Sequence, residues 1–434
     1  MATETSQVQR TSNTPTRARY WVVFFAVTLA VITYIDRVCL SQAGPYIRKD
    51  LGLTPLQMGF ALSAFAWAYA LFEIPGGFLG DWLGPRRVLI RIVIWWSCFT
   101  AFTAFVFNQV SLMVVQFFFG AGEAGCFPNL TKAFTIWLPR DERVRAQGIM
   151  WLSARWGGAF TPLLVLPIIQ FFNWRAAFLI FGGIGVVWVF FFWRWFRDHP
   201  KDHPAVNAAE LELLGGAETK IAGHGSVPWG RFIASPTVWL LWLQYFCISY
   251  GWYFYITWLP TYLRDARHMD LGALSAVLAG LPLFFGGIGC FVCGMILPGV
   301  ARIVGTPHRA RRVMASLGCF SAGALLIVSS RLNDPVPAMI AMAAASFCND
   351  LVMPPAWGAC MDVGGRFAGT LSGSMNMMGN FAGGMAPIVV GFVLSTTHQN
   401  WAMTFYISAA VYMVGMLAWM FIDPVTSLDH HEAH

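Results

Sequence analysis

The chain has 434 residues, of which 57% are hydrophobic and only 11% are charged, and its mean hydropathy is +0.58. Soluble domains carry about a quarter charged residues, so this composition excludes an ordinary soluble protein and indicates a polytopic membrane protein. The formal net charge of +7 comes from basic residues scattered through short loops, which argues against nucleic-acid binding.

Twelve apolar stretches are each long enough for a helix that crosses a bilayer core of about 30 Å, which takes about 20 residues. In chain order they lie at 20–42, 57–80, 88–108, 111–136, 146–170, 174–195, 237–262, 272–298, 312–330, 336–360, 367–393 and 401–422. The sequence therefore predicts an all-α polytopic membrane protein with twelve transmembrane helices.

A single long polar stretch between the predicted spans follows the sixth span and divides the chain into two six-helix halves. We therefore predict an N-terminal tail over 1–19, a six-helix bundle over 20–196, a central loop over 197–236, a second bundle over 237–422 and a C-terminal tail over 423–434.

Lysine and arginine are distributed unequally between the two predicted sides of the membrane. With the N-terminus inside, 19 of them lie in cytoplasmic segments, 6 lie on the opposite side, and the other three lie within spans. Because cytoplasmic loops carry such an excess, we predict that both termini and the central loop are cytoplasmic. The predicted external loops contain no N-x-S/T acceptor sequence, which favours a bacterial inner membrane.

The nine cysteines follow no disulfide pattern, and most lie within apolar stretches, where cysteine behaves as a small hydrophobic residue. The lone C-x-x-C pair, Cys290 and Cys293, lies in the eighth span without further ligands. We therefore expect no metal and no cofactor.

Two loops have similar sequences at equivalent places in the two halves. "GGFLGDWLGPRRVLI" follows the second span and "LPGVARIVGTPHRARRV" follows the eighth, and each combines a glycine turn with an arginine cluster. Ordinary inside-positive anchoring explains either loop alone, but their recurrence favours an internal duplication, as in transporters. The residues predicted to form a gating or structural loop are Gly80, Asp81, Gly84, Arg86 and Arg87.

The G-D-x-x-G-P-R-R loop, the twelve spans and the 6+6 division resemble the major facilitator superfamily. Further stretches resemble its anion:cation symporter family, which includes bacterial sugar-acid and hexuronate transporters and the vesicular glutamate and sialic-acid carriers. They are "YIDRVCLS", "GAGEAGCFPNLTKAFTIWLPRDERVRAQG", "WFRDHPKDHPAVNAAEL", "WLPTYL" and "DVGGRFAGTLSGSMNMMGN". The resemblance implies the major facilitator fold, in which two pseudo-symmetric six-helix bundles rock around a midplane site.

Charged residues inside the spans are costly and usually mark a transport path or an ion pair. Asp36 and Arg37 are adjacent in the first span, and Glu123 lies in the fourth. A carboxyl group in a cavity of low dielectric can load and release protons, and the resemblance implies proton coupling for Asp36 and Glu123. The alternative for each acid is a structural ion pair or an inter-helix hydrogen bond.

The chain departs from this family at Gln116. Many relatives carry at this position an arginine that organises the anion site. Arg155 in the fifth span lies where sugar-acid relatives often have glutamine. We hypothesise that the positive charge has moved, so that Arg155 binds the substrate carboxylate or pairs with Glu123, while Gln116 hydrogen-bonds the substrate. The alternative is a purely structural Arg155. Arg37 is predicted to hold the anion from the first span, and the alternative is a contact with a backbone carbonyl or another helix.

Neutral hydrogen-bonding side chains are expected to complete a polyol site. The candidates are Tyr34, Tyr69, Tyr255, Trp357, Asn376 and Asn380, of which the two asparagines are spaced i, i+4 and share a helix face. The resemblance implies substrate contact for Tyr34, Tyr69 and Asn380, while packing is the alternative for each aromatic residue. The sequence assigns no role to the intramembrane Asp350, and it places Glu73 and Lys132 near the cytoplasmic ends of their spans.

These features predict a secondary transporter, not an enzyme, because no nucleophile–base pair or metal cluster is evident at membrane depth. The expected activity is proton-coupled uptake of a small organic anion, most simply a hexonate, hexarate or hexuronate. The alternatives are a carrier of an aromatic or dicarboxylic acid, an anion exchanger, or a membrane sensor or membrane enzyme. The expected partners are the organic anion, protons and the lipid bilayer, without nucleic acid, and we expect a monomer.

Overall fold

The computed structural model describes residues 14–53, 55–214, 229–259, 262–263, 266–269, 273–397 and 400–428. The predicted tails at 1–13 and 429–434, and the part of the predicted central loop at 215–228, lie outside these residues. The described residues form helices and connecting turns, and no β-strand occurs among them.

Within its described residues, the first half of the chain contains seven α-helices. They are α1 (Arg19–Leu51), α2 (Pro55–Leu83), α3 (Pro85–Phe102), α4 (Gln109–Glu123), α5 (Cys126–Trp137), α6 (Arg140–Phe171) and α7 (Trp174–Trp195). Two short helices, α8 (Ala208–Leu213) and α9 (Trp229–Ala234), follow in the central region.

The second half contains another seven helices within the described residues. They are α10 (Pro236–Thr257), α11 (Ala273–Val304), α12 (Pro307–Arg331), α13 (Pro335–Asp350), α14 (Met353–Gly364), α15 (Ala368–Thr396) and α16 (Trp401–Phe421). The pairs α4–α5 and α13–α14 each make one interrupted span, so the described helices account for the twelve predicted spans and confirm the predicted fold class. By length and composition alone, eight described segments qualify as spans, and one of them, Pro335–Leu394, runs through α13, α14 and α15.

The same helix pairs pack together in both halves. In the first half α1 packs on α6, α2 on α4 and α3 on α7, and in the second half α10 packs on α15, α11 on α13 and α12 on α16. The turns that follow α2 and α11 also match, because Gly84 (φ 83°) and Gly305 (φ 86°) both adopt the left-handed conformation that favours glycine. The two halves are therefore structural repeats of one arrangement.

The two interrupted spans break directly after an acidic residue. Glu123 ends α4 and Asp350 ends α13, and in each case two residues separate the acid from the next helix. Gly125 lies in the first break with φ 83°, and a Cβ there would lie 2.6 Å from the Cα of Gly76. No other residue fits that close approach of α2 without a shift of the backbone.

Two helix pairs, α2 with α15 and α6 with α11, join the halves through small residues. A Cβ on Gly369 would lie 2.7 Å from the carbonyl oxygen of Gly77, and a Cβ on Gly148 would lie 2.5 Å from the carbonyl oxygen of Cys290. These contacts lie toward one end of the bundle, which we call the basic end. It is defined by the N-terminal ends of α3, α6 and α12, which carry Arg86, Arg140, Arg143, Arg311 and Arg312. The halves are therefore in close contact at the basic end.

Candidate functional site

A cavity lies between the two halves at the middle of the spans. It is lined by Tyr34, Arg37, Tyr69, Phe127, Trp151 and Arg155 from the first half and by Tyr245, Ile248, Ser249, Trp252, Tyr253, Asn349, Met353, Asn376, Gly379 and Asn380 from the second. Of the nine residues predicted to bind substrate, six line it: Tyr34, Arg37, Tyr69, Arg155, Asn376 and Asn380.

Arg37 of α1 is one of two arginines of the first half that line the cavity. Its Nε donates to Oε1 of Glu123 at 2.7 Å, and its guanidinium carbon lies 4.6 Å from the ring centre of Tyr69 and 5.5 Å from that of Tyr34. Its Nη2 has no hydrogen-bond partner among the described residues, and its side chain is 24% exposed. Because Arg37 lines the cavity and this donor is not used by any described residue, Arg37 is suited to the recognition of an anion.

Arg155 lies deeper and pairs across the two halves, with Asp350 and not with Glu123. Its Nε donates to Oδ2 of Asp350 at 2.9 Å, its Nη2 lies 3.4 Å from Oδ1, and its Nη1 donates to the Tyr34 hydroxyl at 3.0 Å. The guanidinium also stacks over Trp252, 4.2 Å from the ring centre. The sequence showed Asp350 only as an isolated acid, because its partner is 195 residues away in the chain.

Two further carboxyl groups, those of Asp36 and Glu73, lie close to this cavity without lining it. Asp36 is buried, and neither of its carboxyl oxygens has a hydrogen-bond partner among the described residues. Glu73 is also buried and accepts a hydrogen bond from the amide of Asn376 at 2.8 Å. Because α2 and α15 belong to different halves, Glu73 takes part in their contact, and it lies farther from the basic end than Asp81.

The amide groups of α15 are held by neighbouring side chains. Asn380 accepts a hydrogen bond from the Tyr253 hydroxyl at 3.0 Å and donates to the carbonyl oxygen of Asn376 at 3.0 Å. Asn376 and Asn380 both line the cavity, as their spacing predicts. Tyr253 carried no signal in the sequence that separates it from the many packing aromatics of α10.

Gln116, Tyr255 and Trp357 lie behind the cavity lining. Gln116 donates to the Thr103 hydroxyl at 3.4 Å, and it precedes Glu123 by seven residues, which is about 10 Å along a helix axis. Trp357 donates to the Tyr245 hydroxyl at 3.2 Å. Tyr255 is buried with no hydrogen-bond partner for its hydroxyl among the described residues. In this conformation none of the three lines the cavity, and Trp357 supports the lining through Tyr245.

Asp81 links the two halves at the basic end, on the side of the cavity toward that end. It accepts hydrogen bonds from the backbone N–H of Gly369 at 3.1 Å and from the backbone N–H and hydroxyl of Thr370 at 2.6 and 2.7 Å. Lys132 pairs with Asp81 at 3.1 Å and also donates to the carbonyl oxygen of Arg366. Lys132 is thus buried and held in the contact between the halves.

The other residues of the predicted gating loop order the turn between α2 and α3. The backbone N–H of Arg86 donates to Asp198 at 2.8 Å, and its Nη2 donates to the carbonyl oxygen of Trp193 at 2.6 Å. Gly84 lies against the Asp198 carboxyl group, and Gly80 lies against the side chain of Asn129. Of the predicted loop residues Gly80, Asp81, Gly84, Arg86 and Arg87, Asp81 makes the hydrogen bonds to the second half, and Arg87 is exposed.

Comparison with known proteins adds three findings. A family model described as Major Facilitator Superfamily matches residues 26–387. A "probable sulfoacetate transporter" of Cupriavidus necator is 36% identical over 417 residues, which are 95% of this chain and 96% of that protein. A "probable galactarate/D-glucarate transporter" of Escherichia coli is 32% identical over 415 residues, 90% of each chain.

Among solved structures, a variant of the Escherichia coli fucose:proton symporter superposes with a TM-score of 0.70 at 16% sequence identity. The superposition covers 93% of this chain and 99% of the symporter. At this level of identity the likeness concerns the fold alone.

Proposed function

This chain belongs to the Major Facilitator Superfamily, whose members are membrane transporters and not enzymes, and we propose that it is a proton-coupled symporter of small organic anions. In this proposal the anion binds in the cavity between the halves and is taken up by alternating access. The observation that carries the proposal is the pair of arginines, Arg37 and Arg155, which face one cavity from different helices.

The two guanidinium groups favour an anion with two acidic groups. The relatives described above are named for sulfoacetate and for galactarate or D-glucarate, each of which has an acidic group at both ends. Asn376, Asn380 and Tyr253 supply the amide and hydroxyl groups that a polyhydroxy acid would also need. We therefore propose a substrate of the sugar-acid or sulfonated-acid class.

The balance of charge around the cavity supports coupling to protons. Arg37 and Arg155 contribute two positive charges, while four buried carboxyl groups, those of Asp36, Glu73, Glu123 and Asp350, would contribute four negative charges if all were ionised. The net charge would then be −2, which would repel an entering anion at low dielectric. Protons loaded on Asp36 and Glu123 remove this repulsion, so anion and proton bind together.

We also propose that the basic end faces the cytoplasm of a bacterial cell and that the chain is a monomer of the inner membrane. The excess of arginine at that end supports this orientation. With this orientation, the closed basic end corresponds to a conformation that receives its substrate from outside the cell.

The test is an uptake screen with the purified full chain in proteoliposomes. Sulfoacetate, galactarate, D-glucarate, gluconate and glucuronate are offered with and without an inward proton gradient, and empty liposomes serve as the control. We expect accumulation of at least one of these anions, and we expect the gradient to drive it. Uptake that ignores the gradient but requires an anion inside the vesicle would instead show an exchanger. Uptake of none of these anions would contradict the proposed function.

A further inference from the structure

Asp350 is the second-half counterpart of Glu123. "EAGCFP" begins with Glu123 at the end of α4, and "DLVMPP" begins with Asp350 at the end of α13. In both stretches a two-residue break follows the acid, and a proline lies five residues after it. The two spans occupy equivalent places in the two repeats, because α4 packs on α2 as α13 packs on α11.

From this arrangement we propose that Asp350 is the counter-ion that a substrate anion displaces from Arg155, so that filling the site opens an ion pair between the two halves. This inference rests on the proposed function, since it assigns a role in anion transport to a residue pair of the same cavity. It makes Asp350 a positioning residue that acts on the substrate through Arg155.

The space around the pair is provided by two glycines of α11. A Cβ on Gly286 would lie 2.7 Å from Oδ2 of Asp350, and a Cβ on Gly287 would lie 3.1 Å from the Cβ of Arg155. Any larger residue at either position would therefore crowd the pair. The pair lies in a pocket that fits these two side chains.

Arg155 lines the cavity, but Asp350 occupies the edge of its guanidinium that carries Nε and Nη2, which is an edge that can hold a carboxylate with two parallel hydrogen bonds. Nε and Nη2 face the two oxygens of Asp350, and Nη1 donates to Tyr34. An anion that takes the two parallel donors of the Nε–Nη2 edge must replace Asp350. A carboxylate of the substrate has the same charge and planar geometry as the Asp350 carboxylate, and a sulfonate has the same charge and offers acceptor oxygens, so either group competes for the same donors.

The neighbours of Asp350 allow it to be released. The amide of Asn349 donates to Oδ1 of Asp350 at 2.7 Å, and the Tyr412 hydroxyl donates to the Asn349 carbonyl oxygen at 2.9 Å. Asp350 therefore keeps one donor within its own half when Arg155 turns to the substrate. Since α6 and α13 belong to different halves, the exchange removes one of the bonds that hold them together at the depth of the cavity.

The experiment measures affinity and transport for three variants of the full chain: Asp350→Asn, Arg155→Gln and the double variant. The probe is sulfoacetate, replaced by galactarate if the wild type does not transport sulfoacetate. Isothermal titration gives the Kd in detergent, proteoliposome uptake gives the rate, and a melting curve reports the fold. Asp362→Asn is the control, because Asp362 is also buried and lies away from the cavity, where it pairs across the halves with Arg143 at 3.5 Å and within its own half with Arg311 at 2.7 Å.

We expect Asp350→Asn to lower the Kd about tenfold, because the competing carboxylate is gone, and to slow uptake. Arg155→Gln is expected to raise the Kd about tenfold or more. The double variant has no unpaired buried charge, so it should keep the melting temperature of the wild type while it still binds weakly. Asp362→Asn should leave the Kd unchanged.

Two results would overturn the inference alone. One is a wild type that transports the probe together with an Asp350→Asn variant whose Kd is unchanged or higher. The other is a double variant with wild-type affinity, which would show that Arg155 does not bind the substrate. A wild type that transports none of the anions in the screen would overturn the proposed function and this inference with it.

Discussion

The fourth and the tenth span have the same local design but different partners. In each, a helix ends on an acid, and the chain breaks for two residues before it continues as a second helix. Glu123 pairs with Arg37 of its own half at 2.7 Å, whereas Asp350 pairs with Arg155 of the other half at 2.9 Å. When two rigid halves rock, a pair within one half moves as a unit, while a pair across the halves must stretch or break.

Because of this difference, the two acids are suited to different functions. Glu123 is suited to exchange a proton without disturbing the contact between the halves. Asp350 is suited to couple substrate binding to the contact between the halves, because its ion pair with Arg155 is part of that contact. The repeated architecture thus supplies two equivalent acidic positions, and the choice of arginine partner distinguishes them.

The largest effect is expected for Glu123→Gln. Glutamine keeps the size of the side chain but cannot carry the proton, so gradient-driven accumulation should be lost while counterflow exchange continues. A gradient of about one pH unit can sustain about a tenfold concentration ratio through one coupled proton, and we expect this ratio to fall to about one in proteoliposomes.

The comparison variant is Asp350→Asn, which removes the equivalent acid of the second half. If the two acids have different roles, this variant should still respond to the proton gradient. Loss of gradient response in both variants, or in neither, would break the distinction drawn between the fourth and tenth spans.

A smaller effect is expected at the contact between α2 and α15. In Gly369→Ala the added methyl group would lie 2.7 Å from the carbonyl oxygen of Gly77, and backbone cannot move aside as a flexible side chain can. The basic end should open more often, so amide hydrogen exchange should rise around 77–84 and 366–373, and uptake should slow by about threefold.

Gly183→Ala in α7 is the matched control for this variant, because no atom lies within 4 Å of its added Cβ. Gly183→Ala should show the amide hydrogen exchange and the uptake rate of the wild type. If amide hydrogen exchange in Gly369→Ala were the same as in the wild type, the close approach of α2 and α15 would not be what holds the basic end closed.

The smallest effect is expected at Glu210 in α8, outside the spans. Burial raises the pKa of this carboxyl, but hydrogen bonds from Thr16, from the backbone N–H of Arg19 and Ala18, and from the Arg19 guanidinium outweigh it and leave the pKa lowered. A lowered pKa contributes stability above the ordinary glutamate value of about 4.3 and loses it as the pH falls through the folded-state value.

Glu210→Gln should therefore melt a few degrees below the wild type at about pH 7, and the two melting curves should converge as the pH falls below about 4. Because this cluster ties α8 to the start of α1 and touches no residue of the cavity, the Kd for the anion should not change. A difference in melting temperature that persists at low pH would show that the hydrogen bonds do not depend on the charge of Glu210.

Much of the fold follows from local sequence. Runs of about 20 apolar residues must form helices in a bilayer, since every backbone polar group has to be satisfied within the segment. Proline and glycine also act locally, as Gly84 and Pro85 show at the turn between α2 and α3. The asparagine pair of α15 was predictable for the same reason, because i, i+4 spacing fixes a common helix face.

The site depended on contacts between residues far apart in the chain. The sequence singled out Arg37, Glu123 and Arg155 because charges are rare in membrane spans. It did not show which acid pairs with which arginine. Gln116 illustrates the limit, since its position in the fourth span suggested a substrate contact and the packing of α4 on α3 turns it toward Thr103.

By itself, then, the sequence determined twelve membrane spans, their division into two halves and the small set of charges within them, because length, hydropathy and periodicity act within one segment. Only the tertiary structure decided that Glu123 stays within its half while Asp350 reaches across to Arg155. That choice depends on the close approach that the glycines of α11 allow between α6, α11 and α13, and no local pattern encodes it.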